Sequence, residues 1–297
     1  PLIEGRGSID AHLNQRYMAA VDVQLDKLDL CRLTGMTDTL TFGGSFKGIL
    51  EASTDMKRMK AKGAMRQLRL IAPKRAILAR DIDFAFHTKP DSTTLQAFSG
   101  DMLLDFAARG GLEQIGKKGG ELAQIVQKQL KHRSIDQIYL RKRLPNMALH
   151  IVGGNNNIVS NLLRYLHYEV STFKLHLDAN AHEGINGHMS VGALKHGALV
   201  IDTIYGRLLH VDDRLHFAAT VHNDKRKNPN PFTATFESSL LSHGVKAELA
   251  FTDANNKKGL QVGAEVEMED GGTRIHFTPE KAIVAYPEFT INPETFV

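Results

Sequence analysis

Several groups of residues have types and spacings that could do chemistry. Gly111-Leu112-Glu113-Gln114-Ile115-Gly116-Lys117-Lys118 fits the glycine-rich loop that cradles nucleotide phosphates, and it follows the apolar segment Met102–Phe106. Ala198–Asp202 resembles the apolar strand whose final Asp helps hold magnesium. Lys118, however, stands where a Ser or Thr hydroxyl should coordinate the ion. Leu112 and Ile115 keep the phase of a helix's apolar face, and the chain lacks the strand–helix alternation that builds a parallel sheet. Nucleotide binding is therefore not expected.

The sequence contains 14 histidines, with His182 and His188 six apart and His216 and His222 likewise. Zinc needs ligands that converge, usually beside Cys or carboxylates. These four, with His176 and His276, fall on the polar side of a period-two alternation, where any hydrophilic residue falls. No metal and no other cofactor is expected. The single cysteine, Cys31, excludes an internal disulfide and a Cys-based zinc finger. Lys57–Arg80 carries nine Lys or Arg and no acid, but no aromatics for base stacking, so nucleic acid is not expected. A solvated surface is the first reading of this stretch and contact with anionic headgroups the second. There is no nucleophile elbow, no HExxH and no isolated carboxylate pair; the chain does not read as an enzyme.

What remains is apolar. Phe84, Phe86, Met102, Leu104, Phe106, Phe173, Leu175, Leu177, Ile185, Met189, Val191, Leu215, Phe217, Val221, Phe232 and Phe236 form one side of successive alternating segments. They could be an ordinary sandwich core. They could equally line a trough for acyl chains, where apolar contact contributes about 25 cal/mol per Å². The lipid-contacting set expected on the second reading is Phe84, Phe86, Leu104, Phe106, Phe173, Leu175, Leu177, Ile185, Met189, Leu215 and Phe217.

The elements that must position these residues are strands. Val21, Val23 and Leu25 alternate with Asp22, Gln24 and Asp26, and Leu260, Val262, Ala264, Val266 and Met268 face away from Gln261, Glu265, Glu267 and Glu269. One apolar and one wet face per strand is the signature of antiparallel strands covered on a single side. Breaks are expected at Gly43-Gly44, Glu183-Gly184, Asp212-Asp213, Asn255-Asn256 and Asp270-Gly271-Gly272. About fifteen strands are expected, recurring every ten to fourteen residues. Helical spacing appears between Gly110 and Arg133, over Ser134–Leu144 before Pro145, and from an N-cap at Asn157 to Tyr165 or Leu166. Asp55–Lys62 is a further helical candidate.

The expected architecture is mainly β: a long antiparallel meander curled into a taco-like groove, with a helical insert near the middle. Open sheets rarely exceed about 10 strands without curling or splitting. The expected divisions are an N-terminal β-groove segment (1–109), a helical insert with one short strand (110–168) and a C-terminal β-groove segment (169–297). Net charge is +4 but uneven: residues 237–297 hold ten acids and five bases, leaving +9 for residues 1–236. No run approaches the roughly 18 apolar residues of a membrane-spanning helix. Because the first residue is Pro1 and the last segment stops at Val297, the chain reads as an interior piece of a longer protein.

Ala20-Val-Asp-Val-Gln-Leu-Asp-Lys-Leu-Asp-Leu-Cys-Arg-Leu33, followed by Phe42-Gly-Gly-Ser-Phe-Lys-Gly-Ile-Leu50, resembles the TamB and AsmA-like group of envelope proteins. The pattern returns at Gly184-Ile-Asn-Gly187-His-Met-Ser-Val191, with Leu208 to Phe217 echoing the next strand. Thr273 to Pro293 is similar to the approach to the family's C-terminal region, with Phe289 where an aromatic, often Trp, stands. The helical insert departs from the family's strand repeat. The resemblance implies a curled sheet in the periplasm of a double-membraned bacterium, anchored in the inner membrane by an upstream segment outside this chain. It implies phospholipid acyl chains as cargo and an outer-membrane assembly protein of the BamA or TamA type as partner, with roles in lipid movement and outer-membrane protein assembly. It supplies no catalytic residues. A closed β-sandwich adhesin or scaffold is the alternative; an outer-membrane barrel is disfavoured by zero Trp and six Tyr.

Overall fold

Period-two alternation becomes strand wherever it is bounded by turn residues. A computed structural model describes residues 3–13, 16–29, 41–72, 75–224, 231–269 and 272–291. The chain is mainly β, an antiparallel meander that is not closed, with few helices and a helical insert near its middle. The strands before the insert are β1 (Ile3–Leu13), β2 (Arg16–Asp29), β3 (Thr41–Ser53), β4 (Met59–Ala72), β5 (Arg75–Leu78), β6 (Ile82–Lys89), β7 (Ser92–Ser99) and β8 (Met102–Arg109). The insert comprises α1 (Leu112–Lys131), α2 (Gln137–Arg141), β9 (Met147–Gly153) and α3 (Ile158–Tyr165). After it come β10 (Thr172–Asn180), β11 (Gly184–His196), β12 (Leu199–Val211), β13 (Arg214–Asn223) and β14 (Phe232–Leu240). β15 (Gly244–Thr252), β16 (Lys258–Glu269), β17 (Gly272–Val284) and β18 (Glu288–Thr290) complete the described set. No described helix is long and apolar enough to cross a membrane.

Two compact units divide the chain. The first comprises Pro1–Ile115 and Leu149–Phe173, the second Gly116–Ala148 and Lys174–Val297. Within the first, β1 to β4 pair in order, and β4 then continues to β5 with one end and β6 with the other. β6, β7 and β8 follow as consecutive hairpins. Within the second, β11 to β18 pair strictly in order. In the second unit only neighbours in sequence pair among these described strands, as short turns enforce.

Among the described residues the turns form where turn residues are expected, with one exception. Asp212 and Asp213 take positive φ (49° and 58°) between β12 and β13, the conformation of a tight two-residue hairpin. Residues 181–183 and 253–257 also turn. Gly43-Gly44, by contrast, lies inside β3, where the β3–β4 register shifts. A Cβ at Gly44 would lie 2.8 Å from the Leu68 side chain, so the glycine admits a buried leucine and does not end a strand. Asp270-Gly271 lies outside the described residues. Eighteen strands are described instead of about fifteen.

Helices follow their apolar spacing. α1 carries Glu113 in its first turn and Lys128 and Lys131 in its last, matching the helix dipole. Gly116 and Lys117 lie in its interior, not in a phosphate loop. The segment expected over Ser134–Leu144 shortens to α2, capped by Asp136 accepting from the Tyr139 N–H. α3 begins at Asn157 as expected, with a reciprocal capping box to Ser160. The candidate at Asp55–Lys62 is a turn leading into β4. Asp55 accepts from the Ser53 hydroxyl (2.6 Å) and the Lys57 N–H (3.1 Å), and Met56 takes φ 56°. Side-chain acceptors here outcompete a helix's first turn.

Candidate functional site

In antiparallel strands directly opposed residues share a face, so register decides which side chains form a surface. In the second unit three rows run across β11 to β17. The first is Gly187, Leu208, Phe217, Ser238, Ala247, Ala264, Phe277. The second is Met189, Gly206, Ala219, Phe236, Leu249, Val262. The third is Val191, Ile204, Val221, Ala234, Phe251, Leu260, Val284. Ser238 is the only polar side chain among them. The reverse face carries His188, Arg207, Glu237 and Glu248 in one row and His216, Ser239, Lys246, Glu265 and His276 in another. The expected polar placement of His188, His216 and His276 is therefore observed. The His176 ring lies 5.3 Å from that of His188, tilted by 34°, and Ser239 bonds the His216 ring at 2.8 Å. Among the described residues no three His, Cys, Asp or Glu group as a metal site.

The apolar rows are not sealed. Met189 and Phe236 are each 37% exposed, and Leu249, Phe277 and Val284 are 40–44% exposed. Among the described residues, the buried apolar side chains of the second unit are few and mostly small, such as Ala179 and Ala282. Large apolar side chains contiguous across several strands and reached by water are unusual for a folded surface. Gly206 lets one of them lie low: a Cβ there would sit 2.7 Å from Met189 Cγ.

The first unit repeats the plan. Ile9, Val21, Gly48, Gly63, Phe84, Ala97 and Leu104 form one row, and Ala11, Ala19, Leu50, Ala61, Phe86, Leu95 and Phe106 the next. Phe84 stacks on Phe46 with centroids 6.0 Å apart and 11° between planes. It does so over Gly63, where a Cβ would lie 2.7 Å from the ring. Ile9 and Leu13 are 70% and 71% exposed at the β1 edge.

Register thus unites Phe84, Phe86, Leu104 and Phe106 on one face of the first unit. Met102 is buried at the end of that sheet. Phe173 belongs to the same unit, with its ring against Gly153. In the second unit Ile185, Met189, Leu215 and Phe217 share the apolar face, and Leu177 packs against Gly187 from β10 with Leu175 two residues away. The expected set therefore divides between two faces.

One end of each unit is fastened by the insert. In the first, Asn157 is wholly buried and donates to Asp101 (2.7 Å) and the Gly154 carbonyl (2.9 Å). The Ser99 hydroxyl accepts from the Ile158 N–H, and Asn161 accepts from the Arg80 N–H. Burial pushes the Asp101 carboxyl up, but hydrogen bonds from Asn157 and the Asn156 and Gly154 backbone outweigh it and hold it below the ordinary range. In the second, Gln137 of α2 donates to the Leu240 carbonyl and accepts from the Leu215 N–H, each at 2.8 Å.

Sequence spacing did not disclose His210. It faces Leu215 on the apolar side, with its ring against Gly184, whose φ of +83° only glycine adopts readily. His210 Nε2 and Arg141 Nε are buried with no hydrogen-bond partner in the protein, while Arg141 pairs with Asp213 at 2.9 Å. Burial, then the Arg141 charge, pushes the His210 pKa down. The only advance signal was a histidine out of phase with the polar alternation.

Comparison with protein-family models, curated proteins and solved structures finds no match for this chain.

Proposed function

We propose that the chain is a segment of a TamB- or AsmA-like cell-envelope protein whose apolar faces carry phospholipid acyl chains between the inner and outer membranes. The observation that carries this reading is the set of registered apolar rows with large, water-exposed side chains at Met189, Phe236 and Leu249. A sandwich core would bury such side chains; an acyl chain laid across them removes apolar surface from water on both partners, at about 25 cal/mol per Å². The mechanism is passive. Steady movement needs many similar weak contacts, because a lipid held by one tight pocket does not leave. Headgroups stay in water, and no covalent step or cofactor is involved. In this reading the protein works in the periplasm, anchored through a segment outside this chain, and an outer-membrane assembly protein of the BamA or TamA type receives the cargo.

Photo-crosslinking to acyl-chain-labelled phospholipid tests it. Leu175→Asp and Phe217→Asp place a charge on the face and should each reduce crosslinking severalfold while the far-ultraviolet dichroism stays that of the parent. Undiminished crosslinking in folded variants would remove the apolar faces from consideration.

A further inference from the structure

The basic stretch of the sequence does not stay together in three dimensions. Arg66 is neutralised by Asp81 and Asp83, and Arg80 donates to the Asn156 side chain at 2.6 Å. Lys57, Arg58 and Lys60 instead go to the hairpin end of the first unit, where β2, β3, β4 and β6 terminate together. There Arg16, Arg58, Lys60 and Lys89 surround a hollow of about 470 Å³ in which Glu51 is the only acid. None of these four cations forms an ion pair among the described residues. Glu51 and His87 flank Lys60 in register. Burial, then the charges of Lys89 and Lys60, lowers the His87 pKa, so this imidazole meets a positive field without adding to it at neutral pH.

Lys60, His87 and Lys89 stand on the polar face, whereas Met59 stands on the apolar face one residue away. Met59 also lines a second hollow of about 490 Å³, with an apolar wall of Met56, Pro90 and Leu112 and with Asp55, Lys57 and Glu113 at its polar border. Met56 and Leu112 are 49% and 46% exposed. Buried hydrogen bonds tie the backbone that holds this wall. The Thr88 and Thr93 hydroxyls bond each other at 2.8 Å while both are buried, Thr88 accepts from the Leu112 N–H, and Thr93 donates to the Gly110 carbonyl. A cationic hollow and a second hollow with an apolar wall therefore share Met59 at the sheet's rim.

We propose that this rim binds an anionic phospholipid, its phosphodiester among Arg16, Arg58, Lys60 and Lys89 and an acyl chain passing over Met59 towards Met56 and Leu112. The proposal rests on the lipid-carrying reading and adds selectivity to it: glycerophospholipids of net negative headgroup are taken in preference to zwitterionic ones. Charge complementarity favours this occupant over a nucleic acid, because the cations border an apolar wall and no Phe, Tyr or Trp for base stacking lines either hollow.

The test incubates the whole 297-residue chain with vesicles of phosphatidylglycerol or of phosphatidylcholine with identical acyl chains, and counts retained lipid by native mass spectrometry. The parent should retain the anionic lipid in at least roughly tenfold excess, since each cation near an anionic lipid surface contributes about fivefold in affinity and the site holds four cations against one acid. Arg58→Gln/Lys60→Gln/Lys89→Gln should bring that retention down to the phosphatidylcholine level. Lys246→Gln/Lys257→Gln/Lys258→Gln, which removes the same charge elsewhere, should keep the excess. Equal retention of both lipids by the parent, or loss of the excess in both triple variants, overturns the rim site and leaves the lipid-carrying reading standing. Retention of neither lipid overturns both. Calorimetric binding of inorganic phosphate that the rim variant loses, with lipid preference unchanged, marks a free-anion site and also overturns the proposal.

Discussion

Phe236 is where an open face and a sealed core diverge most. It lies mid-row between Ala219 and Leu249, 37% exposed, with its ring 6.1 Å from that of Phe217 at 54°. An aromatic side chain offers on the order of 200 Å²; with a little over 60% covered, about 125 Å² is removed from water. At about 25 cal/mol per Å² this contributes about 3 kcal/mol, nearer 2 once the compactness of the denatured chain is allowed for. The tilted ring pair adds about 0.5–1 kcal/mol. Truncation opens no closed cavity, so Phe236→Ala should cost about 2–3 kcal/mol. Phe236→Asp is the sharper probe. Water already reaches the position, so beyond the alanine cost it should add only the strand-propensity difference, about 1 kcal/mol or less. In a sealed core the same carboxylate would add several kcal/mol. Urea unfolding followed by circular dichroism, with unchanged m-values, gives both numbers. A gap of 3 kcal/mol or more between the two variants, or a Phe236→Asp chain that does not fold while Phe236→Ala does, refutes the open face.

Asn157→Ala should cost about 2–3 kcal/mol, combining a lost helix cap with the donor taken from Asp101 and the Gly154 carbonyl. Asn157→Ser keeps the cap and should recover about 1 kcal/mol of that; equal melting temperatures for the two variants would contradict the capping account. His210 has a folded-state pKa below its unfolded value of about 6.5. The unfolded chain therefore takes up that proton first, so the contribution is complete above pH about 6.5 and declines as pH falls from there through the folded value. His210→Gln should flatten the fall in melting temperature between pH 7.5 and 5.5, and an unchanged slope would argue against a neutral buried ring.

The alternation of Leu260, Val262, Ala264, Val266 and Met268 against Gln261, Glu265, Glu267 and Glu269 was enough to place strands, faces and hairpins, because side-chain direction in a strand repeats every two residues whatever it pairs with. For the same reason Asn157 could be read as a cap and Asp212-Asp213 as a turn: each depends on a few consecutive backbone angles. The Gly43-Gly44 break and the Asp55–Lys62 helix misread local composition, because Leu68 from the next strand and the Ser53–Asp55 hydrogen bonds decide those conformations. Composition could not say whether Phe236 and Met189 would be covered, since coverage depends on what else packs there. Nor could it show that Arg16, Arg58, Lys60 and Lys89, spread over seventy-odd residues, would gather while Arg66 was neutralised. Charge in a sequence is a sum, whereas a binding site is a distance, and cross-strand register alone turns one into the other.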